Sequence, residues 1–272
     1  MGQIDAVPRI KAVIDECLPL LKALARGRCA VTIGGSHGKG TFDDRSDVDF
    51  RLFCDGISGA PNFLETEEWK AFSRVVDKWR ARGVDIDHCW IRTIGEIEAQ
   101  LDAWLAGKVL PMEMVWTLWG YHLPTDLANQ MVIYDPAGLV AGWQARLTPY
   151  PRILRRAIIE KHLGSLKYWR SDYHYRNKVE RGDLVFLAGL TARLVHDMMQ
   201  VLFALNGTYF VGDGNNLRYA DKFAVKPGNF AKRVNAILYP PQTGKVLTWQ
   251  YDSICGLIDE IAPLAARIDG DG

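Results

Sequence analysis

The spacing of apolar residues changes period several times along the chain, and each change marks an element. Residues 7 to 25 carry Ile10, Val13, Ile14, Cys17, Leu21 and Leu24 at helical spacing. Pro19 falls inside that run and is expected to kink or divide the helix. Cys29 to Ile33 reads as a short strand, and a second strand runs from about Asp47 to Cys54. With a period of two, Val48, Phe50 and Leu52 share one face of this strand, while Asp47 and Asp49 share the other. Residues 65 to 82 predict an amphipathic helix with Trp69, Phe72, Val76 and Trp79 on its apolar face. Its first turn holds Glu65, Glu67 and Glu68, where carboxylates suit the helix dipole. Val84 to Ile91 alternates again. Unbroken alternation puts Val84, Ile86, His88 and Trp90 on one face, and Asp85, Asp87, Cys89 and Ile91 on the other.

Gly95 to Gly107 and Pro111 to Tyr121 read as helices, and Met131 to Tyr134 as a short strand stopped by Pro136. Pro149-Tyr150-Pro151 is a linker, and beyond it the pattern is helical. One helix is expected from Arg152 to about Tyr173 and another from Asp183 to Leu205, the latter apolar nearly all round and therefore the buried centre of a bundle. Shorter helices follow near 218–223 and 229–237, then a long one over 246–268 and a frayed tail. The expected fold class is α+β, with a mixed sheet flanked by helices in residues 1–148 and an all-α bundle in residues 149–272.

Composition narrows the function classes. Five cysteines, odd in number and scattered, lack any Cys-x-x-Cys pair and are expected to be reduced core residues. No apolar run approaches the roughly 18 to 20 residues of a membrane span, and the first residues lack the pattern of a secretory signal, so a cytoplasmic protein is expected. The net charge of +1 hides an excess between Arg146 and Arg181, with ten basic residues against three acidic ones. Aromatic residues interleave there, but a solvated helical face accounts for the pattern better than a polynucleotide groove does.

The candidate chemistry lies in Ile33-Gly34-Gly35-Ser36-His37-Gly38-Lys39-Gly40, followed by a polar loop and then Ser46-Asp47-Val48-Asp49. Gly34 and Gly35 permit a turn that aims N–H groups at an anion, and Ser36 adds a hydroxyl. Two carboxylates on one strand face need a partner, and a divalent cation shared with phosphate oxygens provides it. A Walker loop is excluded, because Gly34 to Gly38-Lys39 is one residue short and Gly40 stands where Ser or Thr must follow the lysine.

The glycine-glycine-serine turn followed by a strand with two acids resembles the polymerase-beta-like nucleotidyltransferase superfamily, in particular its small-molecule branch, the aminoglycoside-type enzymes with a C-terminal helical domain. The resemblance implies transfer of a nucleoside monophosphate from a nucleoside triphosphate, with ATP expected, to a hydroxyl of a small-molecule acceptor. It implies Asp47 and Asp49 as ligands of Mg²⁺, bound as two ions, with a third carboxylate on a later strand. Asp87 aligns with that position, and Asp85 is the alternative. Gly34, Gly35, Ser36 and Lys39 fall at the nucleotide phosphates. Glu180 and Asp183 are candidates for the general base, with N-terminal capping of the following helix as their competing role. Transfer to RNA or protein, and nucleotide binding without turnover, are the alternative functions.

Overall fold

The computed structural model describes residues 8–214, 216–240 and 244–266. The chain is α+β, with a mixed four-stranded sheet in its N-terminal region and helices in its C-terminal region. It divides into two compact units, Met1–Asp102 with Asp126–Thr148, and Ala103–Thr125 with Pro149–Gly272. A division after residue 148 matches the expected linker. Segment 103–125, assigned by sequence to the first domain, lies with the second unit.

In the first unit, α1 (Pro8–Leu24) leads into β1 (Ala25–Ile33), and a one-turn helix α2 (Gly35–Gly38) precedes β2 (Val48–Ile57). Then come α3 (Glu67–Arg80), β3 (Ile86–Thr93) and α4 (Ile94–Leu105), whose end passes into the second unit. The chain returns through α5 (Leu123–Ala128) to β4 (Met131–Tyr134) and α6 (Leu139–Leu147). Strand order is β3-β2-β1-β4, antiparallel except for the parallel β2–β3 pair.

One face of the sheet packs on α1 and α3. Val31, Ile33, Val48, Phe50 and Leu52 meet Val13, Cys17, Leu21, Phe72 and Val76 in one core. Each large apolar side chain removed from water there contributes about 1.5–3 kcal/mol. That burial explains why Pro19 does not divide α1: the missing N–H is outweighed by a face anchored at Cys17, Leu21 and Leu24. Thr66 caps α3 by accepting from the Trp69 N–H at 3.3 Å, and Glu67 and Glu68 fill its first turn.

In β3 the expected alternation fails. The β2–β3 register pairs Val48 with Ile86 but Phe50 with Cys89, so Asp87 and His88 together oppose Asp49. After this bulge the faces exchange. Cys89 joins Ile86 in the core, and Trp90 comes to the face of Arg51, whose guanidinium lies 5.5 Å from its ring. The free cysteines are Cys17, Cys29, Cys54, Cys89 and Cys255, and all but the partly exposed Cys29 are buried.

The second unit contains α7 (Arg152–Ser171), α8 (Tyr173–Arg181), α9 (Leu184–Leu205), α10 (Asn216–Ala220), α11 (Phe230–Leu238) and α12 (Val246–Ala266). The helix expected to continue to Tyr173 stops at Ser171, because Asp172 leaves the helical conformation and caps α8 through the His174 N–H. The buried centre is α9, packed chiefly on α7 and α12. Its first turn is exposed at Leu184 and Val185, and burial is nearly continuous from Leu194 to Leu205. By length and composition α9 is long and apolar enough for a membrane span, which the sequence reading did not expect, but most of it is buried as a core helix.

Pro111–Tyr121 is not a helix. Met112 and Tyr121 exchange backbone hydrogen bonds at 3.0 and 2.7 Å, closing a loop. Gly120 has φ +80°, and a Cβ there would press on Pro111. Val115, Trp116 and Leu118 are exposed, so the segment has no buried apolar face to hold a helix. The end of the last predicted helix and the tail fall in 267–272, outside the described residues.

Candidate active site

The glycine turn is fastened to β2 before any ligand is considered. The Gly34 N–H donates to the Asp49 carbonyl at 2.9 Å, and α2 closes through Gly38 N–H to Gly34 O at 2.8 Å. Gly35 has φ +56°, and a Cβ built there would overlap the Asp49 carboxylate. Only glycine permits both this conformation and this approach. The loop that delivers Asp47 is held by its own side chains. Asp43 Oδ1 accepts from the Arg45 N–H and the Ser46 hydroxyl, both at 3.0 Å, and Ser46 Oγ accepts from the Asp43 N–H at 2.9 Å. The Val48 N–H then bonds to the Asp85 carbonyl at 3.0 Å, which starts the parallel pairing beside Asp87.

The result is a cluster. Asp47, Asp49 and Asp87 each present a carboxylate oxygen, and the three oxygens lie within 4.8 Å of one another. Asp47 and Asp49 are partly buried and Asp87 is exposed. Asp85 stays outside, solvent-exposed and 3.9 Å from Arg80. Burial pushes the Asp49 carboxyl up to about 6; Arg51 opposes the shift, and the charges of Asp47, Asp87 and Asp126 add to it.

Three features of this site were not singled out from sequence. Arg51, buried and two residues beyond Asp49 on the same face, lies 3.6 Å from Asp49 and 3.5 Å from Asp126. A charged residue at that alternate position in an apolar strand was a usable signal. Asp126 comes from α5, far away in sequence, and had none. Gln130 accepts from the buried Thr32 hydroxyl at 2.5 Å and stands close to Gly34. His37, in the loop after the glycine pair, is only 6% exposed and stacks on Phe42 with ring centroids 4.6 Å apart. Burial lowers its pKa, with Asp47 opposing. Its Nε2, like the Ser36 hydroxyl, is buried with no hydrogen-bond partner among the described residues. Lys39 follows α2 as its C-cap residue.

The two general-base candidates belong to the helical unit, and each is engaged by a cation. Glu180 is exposed in α8 and 3.5 Å from Arg176. Asp183 occupies the N-cap position of α9 but makes no side-chain cap bond, and it pairs with Lys178 at 2.6 Å instead.

The fold and site together define an α+β protein whose mixed sheet carries an oxygen-only acidic cluster beside a glycine turn. Residues 122–212 match DUF4037, a domain of unknown function. That match runs from α5 through α9 and includes none of the three clustered aspartates. A search of curated proteins finds no match to the chain.

Proposed function

We propose that this protein is a metal-dependent nucleotidyltransferase, moving a nucleoside monophosphate from a nucleoside triphosphate, with ATP expected, to a hydroxyl of a small-molecule acceptor and releasing pyrophosphate. The observation that carries this reading is the convergence of Asp47, Asp49 and Asp87 within 4.8 Å, against a glycine turn that cannot bear a side chain at Gly35. The donor set fits Mg²⁺, since all three ligands are hard carboxylate oxygens and the raised pKa of Asp49 reflects burial and like charges that a cation offsets. Asp47 and Asp49 would hold the ion that accompanies the nucleotide, and Asp87 would complete a second site with them. When bound, such ions neutralise phosphate charge and favour ionisation of the attacking hydroxyl.

The chain's own groups do the positioning. Gly34, Gly35 and the buried, unpartnered hydroxyl of Ser36 suit phosphate oxygens, with Lys39 next in sequence. Arg51, 3.6 Å from Asp49, favours its ionised form. We place the protein in the cytoplasm, where nucleoside triphosphates are abundant and its five free cysteines stay reduced.

The test is a thermal-shift screen of the four ribonucleoside triphosphates with and without Mg²⁺, followed by pyrophosphate release with candidate acceptors. A metal-dependent stabilisation that Asp49→Ala abolishes is expected. Turnover retained in Asp47→Ala or Asp49→Ala would refute the metal assignment, and binding without turnover for any acceptor would favour a regulatory module.

A further inference from the structure

Arg51 stands in the proposed metal site as a competitor of the metal. Its side chain is only 10% exposed and its Nη2 lies 3.6 Å from Asp49 Oδ1, so a fixed positive charge sits beside a carboxylate that a cation must also use. The guanidinium is held inside the fold on its other sides. Nη1 donates to the Phe50 carbonyl at 3.3 Å, and Nε lies 3.5 Å from Asp126 Oδ2. Left uncompensated, a unit charge at this depth and distance repels a bound cation strongly.

Asp126 supplies the compensation. It comes from α5, its side chain is 11% exposed, and the ion pair it makes with Arg51 is close to neutral as seen from the acidic cluster. The first glycine of the turn is shaped around this pair. A Cβ on Gly34 would stand 3.1 Å from Asp126 Oδ1, 3.2 Å from Gln130 Nε2 and 3.5 Å from Arg51 Cζ, and the first two are tighter than ordinary packing. Gln130 is itself fixed by the buried Thr32 hydroxyl, which donates to its Oε1 at 2.5 Å. Gly35 thus leaves room for Asp49, and Gly34 leaves room for the groups that hold Arg51.

We propose that Asp126 is a positioning residue of the metal site: it holds Arg51 and offsets its charge, so that the Asp49 carboxylate stays available to a divalent cation. The inference rests on the proposed metal site and adds to it a residue that acts on the cation through Arg51. Removing the Asp126 charge turns Arg51 fully onto Asp49, at the expense of the cation.

The experiment is titration of the full chain with Mn²⁺ alone, followed by electron paramagnetic resonance of the free ion at pH 8, above the titration of Asp49. Mn²⁺ takes the same oxygen ligands as Mg²⁺. Saturable binding that Asp49→Ala removes is expected in wild type. Asp126→Asn, which keeps the shape and removes the charge, should weaken binding at least about fivefold, and Arg51→Met should tighten it by a similar factor. The double variant Arg51→Met/Asp126→Asn should return to within about twofold of wild type, because both charges are gone. A merely structural role for Asp126 predicts instead a double variant no tighter than Asp126→Asn. Circular dichroism and melting temperature check that each variant is folded, and Asp126→Asn decides by itself if Arg51→Met does not fold. No saturable Mn²⁺ binding in wild type would overturn the metal site and this inference with it. Unchanged affinity in Asp126→Asn, or a folded double variant as weak as Asp126→Asn, would overturn the inference and leave the metal site standing.

Discussion

Asp49 is the residue on which most of the local physics converges. Its carboxyl titrates near 6 in the folded chain, against an ordinary value of 3.8, chiefly because it is buried. Between those two values the native state holds a proton that the unfolded chain has released. The stabilisation is therefore fully present below about pH 3.8 and is lost as pH rises through 6. Metal-free Asp49→Asn should accordingly be more stable than wild type at pH 8, by about 2 kcal/mol, with the advantage gone near pH 4. Urea melts at the two pH values check this, and a variant less stable at pH 8 would show that the Arg51 pair outweighs the burial. Gly35→Ala makes a complementary test. A side chain there meets both an unfavourable φ and the Asp49 carboxylate, so a loss of about 2 kcal/mol or more is expected together with loss of nucleotide binding.

At the scale of elements, the register of β3 against β2 decides which acid reaches the site, because pairing Ile86 with Val48 sets Asp87 opposite Asp49. Two residues, Asp87 and His88, stand opposite one in β2, and this returns Cys89 to the core while Asp87 faces Asp49. Asp85 and Asp87 are both exposed and two residues apart, so their composition and spacing alone do not separate them. The structure does, since only Asp87 joins the cluster. Asp87→Asn should abolish Mg²⁺-dependent nucleotide stabilisation, whereas Asp85→Asn should change it less than twofold, by the same thermal-shift titration. The reverse result would overturn the Val48–Ile86 register. Helices were legible in the sequence where their apolar residues are buried, as in α3 and α9, and not in 111–121, whose apolar residues Val115, Trp116 and Leu118 are exposed on a loop closed by backbone pairing.

For the whole molecule, the chain leaves the sheet-bearing unit after Asp102, contributes Ala103–Thr125 to the helical unit, and returns at Asp126. Inside the helical unit that segment supplies Trp119 to the His196 stack and Thr125, whose hydroxyl donates to the Phe210 carbonyl at 2.7 Å. Lys161 likewise donates to the Val109 carbonyl at 3.0 Å. A fragment cut at the apparent linker, residues 149–272, should therefore melt without cooperativity by circular dichroism, because its core is missing a wall. A sharp transition would show that the inserted segment is dispensable. The unit should also be sensitive to acid. Burial lowers His196 to about 3 and His122 to about 4, so the unfolded chain binds protons below pH 6.5 that the native state refuses. Stability should then fall as pH drops from 6.5 towards 3, and Phe at both positions should flatten that dependence.

Local chemistry reached far in this chain. The α+β class, the strand–turn–strand of residues 29–54, the glycine turn and the paired carboxylates Asp47 and Asp49 were legible, because each depends on a short-range pattern: period two, a glycine pair, or acids within an apolar strand. Arg51 was within reach of the same reasoning. What required the folded chain were relations across long separations. Asp126 reaches the site from α5, Gln130 meets Thr32, residues 103–125 cross to the other unit, and Trp119 finds His196. Strand register and helix packing set those pairings, and both are decided by the total burial of many side chains at once, which no window of sequence contains.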